Sequence, residues 1–221
     1  MMAPLEKEMN NCRFWKNALL IVLVAALWCS TAHAQTVQEV VSTVENHYSE
    51  LKDMSAKVVQ KNFMKSIGKT QTFDGNFLIK KPGKLRIDYT NGQIILVDGK
   101  AVMFYSKKSR QMIKKAFTDF QQMNIPIAFL LGAAHIRDDF DVIQPDLKAP
   151  RTLGLLPKKS EAAMKKLTIQ TDDAGRIVSL VIFDKYGNTT DIRFSEITEG
   201  IGLTDKQFVF TAPKGTEIIE Q

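Results

Sequence analysis

The chain has 221 residues, 44% of them apolar and 24% charged, with a formal net charge of +6. That length and balance fit one globular domain with a sizeable core and exclude disordered, collagen-like and coiled-coil classes. The only long apolar run, Ala18 to Trp28, is eleven residues. A bilayer span needs about 20, so an integral membrane helix is excluded.

The run belongs to a leader. Lys7, Arg13 and Lys16 precede it and Ala32-His33-Ala34 follows it, the basic, apolar and small-residue order of a secretory signal peptide cleaved after Ala34. Residues 1–34 are therefore expected to be removed and residues 35–221 to form one domain. A start at Met9 gives a shorter leader of the same kind. Cys29 follows the bulky Trp28, which does not suit a lipid-attachment site, so a freely soluble exported product is expected. Both cysteines, Cys12 and Cys29, lie in the leader. The remainder has no disulfide, thiol nucleophile or thiolate metal site.

After the leader, Thr36-Val37-Gln38-Glu39 spells a capping box, and Val37, Val40, Val41, Val44, Tyr48 and Leu51 recur at helical spacing. This predicts an amphipathic helix over residues 36 to about 51. From Ala56 the period becomes two. Phe73, Gly75, Phe77 and Ile79 alternate with Asp74 and Asn76, and Leu85, Ile87 and Tyr89 alternate with Arg86 and Asp88, as in strands. Asn91-Gly92, Asp98-Gly99, Ala174-Gly175 and Gly187-Asn188 are tight-turn signals, so neighbouring strands are expected to pair antiparallel in a meander. Residues 117–132 lack alternation and read as one or two short helices. Strands are expected again at Phe140 to Ile143, Leu167 to Gln170, Arg176 to Phe183, Thr190 to Phe194 and Phe208 to Thr211.

Several strands are apolar on both faces, notably Ile94 to Val97, Val102 to Tyr105 and Ile177 to Phe183. An antiparallel sheet usually keeps one wet face. Two architectures satisfy the pattern: a closed barrel with a packed interior, or a bent, unclosed sheet whose concave side stays apolar beneath a helical lid. Such a concavity would suit an apolar ligand.

Common catalytic patterns are missing. There is no G-x-S-x-G and no H-E-x-x-H, and Phe63 stands where a phosphate loop ending in Gly68-Lys69-Thr70 needs its first glycine. His47 lies beside the helix stripe and His135 in a polar stretch. Asp138, Asp139 and Asp141, and the pair Asp172 and Asp173, flank turns without calcium-loop spacing. Basic pairs such as Lys80-Lys81 and Lys107-Lys108 are scattered, which suits attraction to anionic surfaces better than nucleic-acid binding. No enzyme, cofactor or metal is expected.

Four segments, read together, resemble the periplasmic outer-membrane lipoprotein carrier family, LolA. They are Phe73-Asp74-Gly75-Asn76-Phe77 running into Lys80-Lys81-Pro82-Gly83-Lys84-Leu85-Arg86; Leu96-Val97-Asp98-Gly99-Lys100 with Phe104-Tyr105; Leu155-Leu156-Pro157-Lys158; and Phe208 to Gly215. The resemblance spans essentially residues 36–221. It implies a mainly β fold with helices, an unclosed antiparallel barrel with a helical lid over a hydrophobic cavity. It also implies a periplasmic chaperone that takes acylated lipoproteins from an inner-membrane ABC transporter and delivers them to the outer membrane, with only transient membrane contact. A separate outer-membrane acceptor is left open. By the same resemblance Leu85, Ile87 and Tyr89 line the cavity and Phe129 and Leu130 belong to the lid; Phe77, Leu96 and Phe104 are further cavity candidates. Where family members place a lid-latching arginine before the proline, this chain has Lys81, a compact point charge without a planar fork. A looser latch, or one carried partly by Arg86, is expected. The rival class is a lipid-binding sensor of the envelope-stress, anti-sigma-regulator type, which would carry a further C-terminal domain.

Overall fold

The computed structural model describes residues 36–117, 130, 136–143, 149, 151–158 and 164–221. All of them belong to the second of the chain's two units, Gln35–Gln221. The first helix, α1, spans Val37–Glu50. Its capping box forms in both directions, with the Glu39 amide donating to Thr36 Oγ1 at 3.3 Å and the Thr36 amide donating to Glu39 Oε2 at 2.8 Å. These bonds satisfy amides that the first turn leaves without helical partners. The stripe Val40, Val41, Val44 and Tyr48 is buried.

Eleven strands follow in two antiparallel meanders. The first is β1 (Asp53–Met64), β2 (Lys69–Lys80), β3 (Lys84–Tyr89), β4 (Gln93–Asp98), β5 (Ala101–Ser106) and β6 (Gln111–Ala116). A four-residue helix, α2 (Ile136–Asp139), leads into the second, which comprises β7 (Phe140–Ile143), β8 (Thr152–Pro157), β9 (Met164–Thr171), β10 (Ile177–Asp184) and β11 (Thr189–Glu199). A last strand, β12 (Glu217–Glu220), pairs parallel with β6. The strand order is β12-β6-β5-β4-β3-β2-β1-β11-β10-β9-β8-β7, so the two edges do not meet and the sheet is unclosed. Of the two architectures the sequence allowed, the open one is found.

The meanders join where β11 pairs with β1, as in Lys57 opposite Ser195. The register slips between Ser55 and Lys57, facing Glu196, whose φ of 51° marks a bulge. A bulge bends its strand and increases local twist. Gly75 is required by close approach, because a Cβ there would sit 2.4 Å from the Asp88 carbonyl oxygen.

The expected turns at Asn91-Gly92, Asp98-Gly99, Ala174-Gly175 and Gly187-Asn188 all link neighbouring strands. One strand does not form: Phe208 to Thr211 follows a 3-10 turn, Asp205–Phe208, and is irregular. Thr204 and Gln207 cap that turn reciprocally, and Phe208 is buried as its anchor. The helices expected over 117–132 lie outside the described residues, apart from Phe117 and Leu130.

The main core is one cluster on the inner face of the sheet. It unites the α1 stripe with Met54, Phe77, Ile79, Leu85, Val97, Leu130, Leu153, Leu167 and Ile177. A smaller group, including Leu96, Met112 and Phe208, is buried outside that cluster.

Candidate functional site

Cross-strand partners share a face of a sheet, so the register defines what the inner face presents. On β1 it runs Met54, Ala56, Val58, then Gln60 and Asn62. On β3 it runs Leu85, Ile87, Tyr89, opposite Val97 and Ile95 of β4, and Ile95 in turn faces Phe104 of β5. At the Leu85 end the hollow is filled by α1. Toward Tyr89 it opens into a pocket of about 310 Å³. Its apolar wall includes Phe73, Tyr89, Ile95, Phe104 and Ile113, with Ile94 and Tyr105 at its rim from the other face of the sheet, and its polar wall includes Gln60, Asn62, Gln93 and Gln111.

Tyr89 sits at the junction. Its hydroxyl donates to Gln60 Oε1 at 2.6 Å, and its ring lies 5.7 Å from that of Phe73. Burial pushes its pKa up to about 12, which keeps the phenol neutral. Amphipathic walls of this kind can hold a hydrocarbon tail at one end and hydrated polar groups at the other. Among the described residues no group of three or more His, Cys, Asp or Glu is placed to hold a metal ion.

The cover is fastened by polar contacts around an apolar stripe. The Lys81 ammonium donates to the backbone carbonyl of Tyr48 in the last turn of α1, where helical carbonyls lack partners and the dipole favours a cation. Burial lowers the Lys81 pKa. The Tyr48 hydroxyl accepts from the Ile177 amide of β10 at 3.2 Å, and burial pushes this phenol up too. His47 Nε2 lies 2.9 Å from Glu199 Oε1 of β11. Arg137 of α2 pairs with Glu45 and donates to Ser42 Oγ at 2.7 Å. These ties join residues up to 152 positions apart; the family motif marks Lys81 among them, but neither periodicity nor a motif marks the others.

The sequence-predicted residues fall into three groups. Leu85, Phe77 and Leu130 are fully buried in the core with α1, and Ile87 is buried beside them. Tyr89 and Phe104 line the pocket. Leu96 and Arg86 pair with one another on the other face of the sheet. Arg86 there binds Asp88 and donates to the Gln207 carbonyl at 2.9 Å, so it tethers the C-terminal turn rather than α1. Phe129 lies outside the described residues. Phe73, Ile95, Ile113 and Gln60 were missed as pocket residues. For Phe73 and Gln60 the signal is their place in the inward alternation of β2 and β1 beyond the apolar stretch.

A family model described as "Outer membrane lipoprotein carrier protein LolA" matches residues 49–211. The chain belongs to the LolA family. An outer-membrane lipoprotein carrier protein of Nitrosomonas europaea is 28% identical over 203 residues, covering 90% of this chain and 96% of that protein. Another, of Methylococcus capsulatus, is 26% identical over 204 residues, covering 91% and 96%. A crystal structure of an uncharacterized conserved protein from Thermus thermophilus covers 85% of this chain and all of its own, with a TM-score of 0.50 at 16% identity. That likeness concerns the fold alone. Among the described residues no helix of this LolA-family chain is long and apolar enough to cross a membrane.

Proposed function

We propose that this protein is a non-enzymatic periplasmic carrier that shields the acyl chains of lipoproteins between the inner and outer membranes. The observation that carries the reading is the pocket walled by Phe73, Tyr89, Ile95, Phe104 and Ile113, which continues into a core closed by α1. In this reading cargo enters at the pocket and displaces α1, so that Phe77, Leu85, Ile87 and Leu130 become part of the acyl-binding surface. Lys81 is the latch that holds α1 in the closed form.

The magnitudes allow that exchange. Burying each of Val40, Val41, Val44 and Tyr48 is worth roughly 1.5–3 kcal/mol, so the stripe contributes on the order of 6–12 kcal/mol. An acyl chain with about 15 methylenes gains roughly 12 kcal/mol by leaving water, at about 0.8 kcal/mol each. One acyl chain and the helix are thus near-equal competitors for one surface, as a carrier that must both load and release requires. The ligand shifts the equilibrium only through its differential affinity for the open form. The donor in this scheme is an inner-membrane lipoprotein-releasing ABC transporter, and delivery is to the outer membrane or an acceptor there.

The test is native mass spectrometry of protein purified from the periplasm, together with depletion of the protein and fractionation of the membranes. Co-purified acylated peptide or lipoprotein, and mislocalised lipoproteins after depletion, are the expected results. Normal delivery of lipoproteins without the protein would end the proposal.

A further inference from the structure

A second surface lies on the outer face of the sheet, away from the pocket. Phe63 of β1 and Phe183 of β10 both pair with Thr189 of β11, so they stand in one row on one face. Lys166 of β9 continues that row. The row adjoins two hairpin tips, Met64 to Lys69 and Asp184 to Asn188, which are held together by the Lys65 amide donating to Asn188 Oδ1 at 3.0 Å. Ile67 and Tyr186, on these tips, are 58% and 69% exposed, and Phe63 and Phe183 are also exposed.

The apolar residues are interleaved with cations. Lys61, Lys65, Lys69 and Lys185 are exposed on the same two hairpins. Lys166 Nζ lies 5.8 Å from the Phe183 ring centroid and Lys185 Nζ 5.5 Å from that of Tyr186. The carboxylates of β10 and β11 here are already engaged. Asp184 accepts from the amides of Tyr186 and Asn188, both at 2.8 Å, and Asp191 pairs with Arg193. Asp184 and Asp191 thus stand against Arg193 and the five lysines Lys61, Lys65, Lys69, Lys166 and Lys185, so the surface presents exposed aromatics in a local excess of positive charge.

We infer that these paired hairpin tips dock on an anionic phospholipid surface. Tyr186 suits the headgroup level, where an apolar ring and a polar edge are both accommodated, and Phe63, Phe183 and Ile67 gain by burial at the acyl boundary beside it. Lysines beside them gain from the negative potential of anionic lipids, which falls off within a Debye length of about 8 Å at physiological salt. A hydrated protein partner would leave Tyr186 and Ile67 protruding without a matching cavity, whereas a fluid interface adapts to them. The inference stands independently of what the inner-face pocket binds.

The experiment is co-sedimentation of the whole protein with protein-free vesicles of phosphatidylcholine, alone or with phosphatidylglycerol. Binding to the phosphatidylglycerol vesicles that weakens with salt is expected. The variant Phe63→Ser/Phe183→Ser/Tyr186→Ser and the variant Lys65→Glu/Lys69→Glu/Lys185→Glu should each bind about tenfold more weakly or worse. All six positions are exposed, and an unchanged thermal transition will show that both variants fold. No binding of the wild type to phosphatidylglycerol vesicles overturns the inference, because the surface then serves a protein or nothing. Equal binding of the wild type and either variant overturns it as well. Cargo binding by the folded variants is expected to stay intact, which separates this surface from the carrier reading.

Discussion

The inner face of the sheet has two ends built from the same strands with different chemistry. Around Leu85, Phe77 and Val44 the buried side chains are apolar except for the Tyr48 hydroxyl, which accepts from Ile177, and α1 completes the packing. Around Tyr89 and Phe104 the strands continue with aromatics, but Gln60, Asn62 and Gln93 join them and α1 does not cover the space. The first end carries most of the burial that stabilises the fold. The second has apolar surface that no described residue fills, and in the proposed function it is where a ligand first meets the protein. Under that proposal stability and binding are graded along one hollow instead of being assigned to separate parts of the molecule.

Truncation at the closed end should have the largest effect. Leu85→Ala removes a fully buried side chain next to the α1 stripe and should cost about 2–5 kcal/mol, read as the shift in denaturant midpoint at constant slope. Phe104→Ala, at the half-buried pocket wall, should cost clearly less stability while weakening acyl-ligand binding more. Equal losses of stability at the two positions would erase the distinction between the ends. Next in size is the proposed latch. Lys81→Met leaves the Tyr48 carbonyl without its charged donor and should cost about 1.5–3 kcal/mol. Amide exchange should accelerate in α1 while β1 and β2 keep their protection, and Lys81→Arg should restore the slow exchange. Uniform acceleration across the sheet would mean that α1 is part of the global core and does not open by itself.

Local features were readable from the sequence because their causes are local. The Thr36 capping box, the α1 stripe and the glycine-containing turns each depend on residues a few positions apart, and each is found in place, the turns leaving two to five residues between their strands. The alternation in β2 and β3 likewise assigned Phe77, Leu85, Ile87 and Tyr89 to one face. The pairing of β11 with β1 and of β12 with β6 was not readable, since it joins segments more than 100 residues apart that carry no mutual signal. Leu96 shows a different limit. Its strand is apolar on both faces, so period two could not say which side Leu96 takes, and only the register with Arg86 settles it. No strand forms at Phe208 because Thr204 and Gln207 cap a 3-10 turn there, and that local capping outweighs the apolar run after it. The family resemblance supplied the hollow, while the division of that hollow into a filled and an open end required the packing itself.

Two smaller tests sharpen the comparison. Tyr89→Phe removes the 2.6 Å bond to Gln60 at the open end and should cost about 1 kcal/mol, with α1 exchange unchanged. The smallest effect belongs to the outer face, where Asp205 accepts from Lys80 at 2.7 Å and pairs with Lys84 at 2.8 Å. Those two ammonium groups lower its pKa from 3.8 to about 2. A carboxylate whose folded pKa is depressed adds stability above its unfolded pKa and loses it as pH falls through the folded value. The tether of the C-terminal 3-10 turn should therefore weaken between about pH 4 and pH 2, and Asp205→Asn should abolish that dependence. Because this tie lies on the face opposite the hollow, acid should loosen Phe208 and its surroundings before it affects α1. Side-chain NMR of the wild type and Asp205→Asn across that range would show it. Loss of α1 order in step with the Asp205 titration would mean that the outer tether and the inner cover are coupled, and that the two faces of the sheet do not act separately.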